Sequence, residues 1–181
     1  EALDVVRNDA SVTELILSGG DPLSLGNARL ASLLESAQAI PQLTRIRLHT
    51  RTPIVLPSRV DAGLLDALRR VRCDLVIVVH ANHAAELDAA VARALGELRG
   101  VSRLLLNQTV LLAGVNDDAG VHQLDRVAGT AHFEVPDARA LTLLAAVNAR
   151  LPGYLVPKLV REVAGAPGKL PLADTVSADC A

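Results

Sequence analysis

The chain of 181 residues has no tryptophan and no methionine, and only one phenylalanine, Phe133, and one tyrosine, Tyr154. Its interior must therefore be filled by Leu, Val, Ile and Ala. It has two cysteines, Cys73 and Cys180, too few and too far apart for a metal knuckle or a disulfide framework, so both read as structural or incidental. Half the residues are hydrophobic, yet no apolar run approaches the roughly 18 residues that a spanning helix needs, which reads as a soluble protein. A net charge of -2 argues against a general nucleic-acid or membrane surface. No charged-then-apolar leader stands at the N-terminus, so the default compartment is the cytosol. The first residue is Glu1 rather than Met, inside an expected helix Ala2-Asn8, and the chain reads as a fragment.

What the chain does have is a pattern repeated four times, in which a short apolar strand runs into a small polar cluster. Glu14-Leu17 leads into Ser18-Gly19-Gly20-Asp21, Arg45-Leu48 into His49-Thr50-Arg51, Leu75-Val79 into His80-Ala81-Asn82-His83, and Arg103-Leu106 into Asn107-Gln108. Starts at 14, 45, 75 and 103 are spaced by 31, 30 and 28 residues, about one strand, one helix and two loops. That spacing predicts a parallel β/α array. Helical periodicity fills the intervals, with Leu30, Leu33, Leu34 and Ala37 on one face, then Val60, Leu64, Leu65, Leu68 and Val71, then Leu87, Val91, Leu95 and Leu98. Gly100 is expected to close the third of these helices as a left-handed cap. A last helix, Asp137-Arg150, is expected to stop at Pro152-Gly153, leaving an irregular Gly- and Pro-rich tail, Tyr154-Ala181.

The array breaks after the fourth strand. Only nine residues, Ala113-Val121, separate Leu112 from the next patch, His122-Gln123-Leu124-Asp125, whereas a parallel crossover needs a dozen or more. The organisation expected is thus residues 1-152 as a partial β/α barrel and 153-181 as an irregular C-terminal segment.

In such arrays ligands bind at the carboxyl ends of the strands, so the four clusters read as one site. Gly19 and Gly20 sit where a strand turns and would bring backbone groups close to a ligand; the plainer alternative is a tight turn with Asp21 as a helix cap. Phosphate-loop patterns are absent. Arg51 suits a bidentate contact with a carboxylate or phosphate. His80 and His83 suit hydrogen bonding or capping better than metal ligation, since residues three apart after a strand need not share a face. Asn107 and Gln108 need partners at the end of an apolar strand, either a ligand or a neighbouring loop that they brace. Asp125 could accept an ammonium group. Lys169, in the restricted loop Gly165-Ala-Pro-Gly-Lys-Leu-Pro171, is either a Schiff-base nucleophile or a solvent-exposed lysine.

Together these stretches resemble a known family. Ile16-Leu-Ser-Gly-Gly-Asp-Pro-Leu23, Arg47-Leu-His-Thr-Arg-Thr-Pro-Ile-Val-Leu-Pro57, His80-Ala-Asn-His83, Asn107-Gln-Thr-Val-Leu-Leu112 with Gly114-Val-Asn-Asp117, and Gly153-Tyr-Leu-Val-Pro-Lys158 are similar to the lysine 2,3-aminomutase family of radical S-adenosylmethionine enzymes. Pro22, Ala131-His132-Phe133 and the short tail resemble most the branch that makes (R)-β-lysine for elongation factor P modification. The resemblance implies a partial β/α barrel in which a [4Fe-4S] cluster cleaves S-adenosylmethionine to a 5'-deoxyadenosyl radical. L-lysine, held as an imine on pyridoxal 5'-phosphate, then moves its amino group from C2 to C3. It further implies that Gly19, Gly20 and Asp21 contact the methionyl part of S-adenosylmethionine and that Arg51, His80 and Gln108 line that cofactor's side. Lys169 matches the pyridoxal phosphate lysine, and Asp125 and Glu162 match the acids that receive the substrate ammonium.

Two departures stand beside this likeness. The Cys-x-x-x-Cys-x-x-Cys loop that ligates the cluster is absent, with no metal ligand expected in this chain, and most of a helix and a strand are missing between Asn116 and His122. The chain by itself is therefore expected to be inactive, as part of an isomerase. The alternatives are a degenerate remnant that binds a partner, or a pyridoxal phosphate protein that uses Lys169 without radical chemistry.

Overall fold

The computed structural model describes residues 2–112, 114–116, 135–149, 159–161 and 170–172. Strands β1 (Glu14–Leu17), β2 (Arg45–Thr50), β3 (Asp74–Val79) and β4 (Leu104–Asn107) lie side by side in that order, every neighbouring pair parallel. The expected α/β class is therefore seen as a four-stranded open parallel sheet. After the exposed Asp74, strand β3 is an unbroken buried apolar run, Leu75 to Val79, as parallel strands covered on both faces are. Strand β2 alternates instead: Ile46, Leu48 and Thr50 are buried on one face, while Arg45, Arg47 and His49 take the other.

Helices α1 (Ala2–Asn8), α2 (Asn27–Gln38), α3 (Thr52–Val55), α4 (Ala62–Arg69) and α5 (Ala89–Val101) accompany the sheet. Leu30 and Leu34 of α2, Leu64 and Leu68 of α4, and Val91 and Leu98 of α5 form one buried cluster with Ile46, Leu48, Leu75, Ile77 and Val79. Each leucine so buried stabilises the fold by about 1.5–3 kcal/mol relative to exposure. The opposite sheet face bears Ile16, Leu104 and Leu106, which are 48%, 52% and 45% exposed, and an ion pair of 2.7 Å between Arg47 and Glu14.

Several boundaries differ from expectation. Gly100 lies inside α5 and adopts no left-handed conformation; among the described residues only Gly19, Gly20 and Gly114 have positive φ. The helix ends at Ser102, which turns extended and donates its hydroxyl to the Leu98 carbonyl at 2.9 Å, so a terminal carbonyl is satisfied without a glycine cap. Val60 and Leu87 fall outside their helices because Asp61 and Asp88 act as N-caps, accepting from the N–H of Leu64 at 2.7 Å and of Val91 at 2.8 Å. Strand β4 is shifted by one residue and includes Asn107.

Residues form two compact units, Glu1–Gln108 and Thr109–Ala181. In the second, Leu111, Val135, Ala140, Leu143, Leu159 and Leu172 make a separate buried cluster around helix α6 (Asp137–Asn148). Strands β5 (Val160–Arg161) and β6 (Leu170–Pro171) pair antiparallel, giving the tail a short ladder. The expected division at 152–153 and the shortened crossover after Asn116 lie outside the described residues. No helix among the described residues is long and apolar enough to cross a membrane.

Candidate functional site at the strand ends

Because the four strands are parallel and ordered, all four polar clusters arrive at one edge of the sheet. The first begins with Gly19 and Gly20, at φ of 70° and 66°, a region that side chains disfavour. A Cβ built on either would meet nothing within 4 Å, so glycine is required here by the backbone and open space lies in front of it.

Asp21 follows, and its carboxylate is fully engaged. Oδ1 accepts from the Leu23 N–H at 2.9 Å and the Thr50 hydroxyl at 2.6 Å, and Oδ2 from the N–H groups of Arg51 at 2.7 Å and Thr52 at 3.0 Å. Burial pushes this carboxyl up, but the hydrogen bonds from Thr50, Arg51, Leu23 and Thr52 outweigh it and hold the group below its ordinary value. Asp21 is thus both the cap of the one-turn helix Pro22–Ser24 and the tie between the ends of β1 and β2. It caps as the plainer alternative has it, with each of its oxygens already accepting two hydrogen bonds.

Arg51 ties β2 to β3. Its Nη1 donates to the His80 carbonyl and its Nη2 to Glu86 Oε2, both at 2.6 Å, so the carboxylate it meets is one of the chain's own. Glu86 Oε1 accepts from the N–H groups of Asn82 and His83, both at 3.0 Å. His83 Nδ1 accepts from the Ala85 N–H at 3.0 Å, which makes it a cap for the turn Ala84–Glu86. His80 approaches His49 instead, with ring centroids 5.6 Å apart and tilted by 51°. Among the described residues no group of three or more His, Cys, Asp or Glu is arranged to hold a metal ion.

The two amides at the end of β4 have different backbone partners. Asn107 braces the neighbouring loop, exchanging hydrogen bonds with both backbone groups of Ala81. Gln108 is anchored through its own N–H to the Val79 carbonyl at 2.8 Å, and the residue is half-buried. Glu86 and Thr50 were the residues sequence reasoning passed over. For Glu86 the signal was present, since His83-Ala-Ala-Glu86 has the cap-to-third-residue spacing of a capping box.

Asp125, Glu162 and Lys169 lie outside the described residues, as does Cys180. Cys73 stands just before β3, at the end of the sheet opposite the clusters, and burial pushes its thiol up, away from the thiolate form a metal requires.

No protein-family model matches the chain. It is 40% identical over 186 residues to the L-lysine 2,3-aminomutase of Haemophilus influenzae, which covers 93% of this chain and 55% of that protein. To the L-lysine 2,3-aminomutase of Escherichia coli it is 41% identical over 189 residues, 94% of this chain and 55% of the relative. The namesake from Clostridium subterminale is 30% identical over 190 residues, 95% of this chain and 45% of the relative. The chain therefore spans about half the length of the curated relatives it matches. The matched stretches are longer than the 181-residue chain, so the relatives carry residues within them that this chain lacks. The similarity runs through nearly all of the chain's own length and about half of each L-lysine 2,3-aminomutase that it matches.

Proposed function

We propose that the chain forms the S-adenosylmethionine-side wall of an L-lysine 2,3-aminomutase, an isomerase that converts L-lysine to (R)-β-lysine. The observation that carries this reading is 40% identity to a protein of that name across 93% of the chain. The half-exposed Ile16, Leu104 and Leu106, which share a sheet face with the buried Val76 and Val78, support a barrel, whose interior such residues would line.

The residues at the strand ends fit S-adenosylmethionine. Gly19 and Gly20 present backbone groups to open space, Gln108 offers an amide, and Arg51 keeps N–H groups beyond the two it has committed. These residues bind and orient the ligand, while Asp21 and Asn107 hold the loops that carry them. When bound, S-adenosylmethionine supplies the adenosyl radical for hydrogen abstraction. Lys169 as the holder of pyridoxal 5'-phosphate, and Asp125 and Glu162 as acceptors of the substrate ammonium, complete the proposal on residues outside those described.

The [4Fe-4S] cluster does not fit this chain. Two cysteines cannot supply three thiolates, and Cys73 is at the wrong end of the sheet.

The test is product formation by the full-length protein, reconstituted anaerobically with iron, sulfide, pyridoxal 5'-phosphate and a reductant. β-Lysine formed from L-lysine only when S-adenosylmethionine is present supports the reading, and its absence overturns it. The elongation factor P role, which rests on Pro22 and Ala131-His132-Phe133, predicts a mass increase on that factor when its ligase is added; free β-lysine without that increase rejects the role alone.

A further inference from the structure

We infer that Glu86 is a positioning residue, which fixes the Arg51 guanidinium and the loop after β3 against each other so that both meet a ligand already in place. The inference rests on the reading above that Arg51 and His80 line the cofactor's side of the mouth. Its geometry stands independently. One carboxylate takes three donors from two different strand ends: Oε2 accepts from Arg51 Nη2 at 2.6 Å, and Oε1 accepts from the N–H groups of Asn82 and His83 at 3.0 Å each. Arg51 closes the ring through Nη1, which donates to the His80 carbonyl at 2.6 Å.

Stability alone does not account for this arrangement. The Arg51 side chain is 44% exposed, and ion pairs of such residues add little to folding free energy. What the arrangement does achieve is order. A long, rotamer-rich side chain is held at both terminal nitrogens before any ligand arrives, while its Nε–H and the second hydrogen of each terminal nitrogen stay uncommitted. A lysine could not do this, because a single ammonium on a flexible stem does not present two fixed donors to two acceptors. Glu86 lies in a turn that His83 caps, and Asn107 grips Ala81 from the other side, so the carboxylate is itself fixed. Without Glu86, ligand binding has to immobilise Arg51, a loss of about two- to tenfold in affinity.

The deciding measurement is the dissociation constant for S-adenosylmethionine, by anaerobic equilibrium dialysis on the full-length reconstituted protein. E86Q keeps an oxygen for the N–H groups of Asn82 and His83 but loses the charge that holds Arg51. Weakening by about two- to tenfold in E86Q, together with an R51Q/E86Q double variant no weaker than R51Q, supports positioning through Arg51. Unchanged affinity in E86Q, or full additivity in the double variant, overturns it. If E86Q does not fold, R51K decides: affinity as poor as in R51Q supports the two-point hold, and wild-type affinity overturns it. A wild-type protein that binds no S-adenosylmethionine rejects the functional reading instead. Amide hydrogen exchange then settles the geometry, because R51Q must speed exchange at Asn82 and His83, and unchanged rates there overturn the coupling.

Discussion

Asn107 holds Ala81 by both ends of a single amide: Oδ1 accepts the Ala81 N–H at 2.9 Å and Nδ2 donates to the Ala81 carbonyl at 3.0 Å. With Asp21 between β1 and β2, and Arg51 with Glu86 between β2 and β3, it completes a series of side-chain ties linking all four strand ends. The strands supply the edge, and these ties set where its loops stand.

The Asn107 tie predicts an unusual order of damage. Asn107→Asp is nearly isosteric but replaces the N–H donor with an oxygen facing the Ala81 carbonyl, so it should destabilise by about 1–3 kcal/mol, at least as much as Asn107→Ala. Urea unfolding midpoints at neutral pH, with slopes compared, would check this. An Asp variant as stable as the wild type would show that the amide nitrogen contributes nothing.

Asp21 gives a pH dependence with a definite sign. Its carboxyl in the folded protein is held below the ordinary 3.8, so the unfolded chain takes up the proton first as pH falls. The stability it contributes is fully present above the unfolded value and is lost as pH falls through the folded one. Asp21→Asn should therefore be destabilised at neutral pH by about 1–3 kcal/mol, with the difference from wild type shrinking on acidification. Denaturation midpoints measured from pH 7 down to pH 3 test the trend. Asp61, also lowered, mainly through the Leu64 N–H and the Asn27 amide, leaves a residual slope in the variant.

Gly19 and Gly20 separate conformational from packing effects. Since a Cβ at either meets nothing, Gly19→Ala should pay only for the left-handed backbone, about 1–2 kcal/mol, and Gly19→Asn, which tolerates that region better, should be milder. Thermal unfolding of the two variants would reveal the difference. Equal losses would mean that the side chain, not φ, is what the turn rejects.

The positions of the strands were legible because their signal is local. The run Leu75-Val-Ile-Val-Val79 and the alternation in Arg45-Leu48 each specify a strand without knowledge of its neighbours, and the near-constant spacing made them parallel. Helix starts were less legible: Val60 and Leu87 match the helical period but precede caps, Asp61 and Asp88, whose hydrogen bonds take over. Gly100 misled because a hydroxyl two residues later did what a glycine cap would do. At the site, residue types located the clusters correctly, yet whether a polar group faces a ligand or a neighbouring loop depends on register between strands. Asn107, whose amide meets Ala81 of the loop after β3, shows this dependence. For Glu86 the capping-box spacing to His83 was legible, but its ion pair with Arg51, 35 residues away, was not.

Arg59 yields a last expectation about what holds the Gly-Gly-Asp turn in place. Its Nε donates to the Leu23 carbonyl and its Nη2 to the Leu25 carbonyl, both at 2.8 Å, and its side chain is only 15% exposed. The two carbonyls belong to the turn that Asp21 caps, and Leu23 is fully buried, so water does not readily replace the guanidinium. Arg59→Ala should destabilise by about 2–3 kcal/mol, the scale of lost charge-assisted bonds. Arg59→Lys, able to reach one carbonyl, should fall between. Because Arg59 and Asp21 act on the same five-residue turn, their effects should not add: once Asp21→Asn has loosened residues 21–25, less ordered structure remains for Arg59 to support. A double variant whose loss equals the sum of the singles would show that the two ends of the turn are held independently.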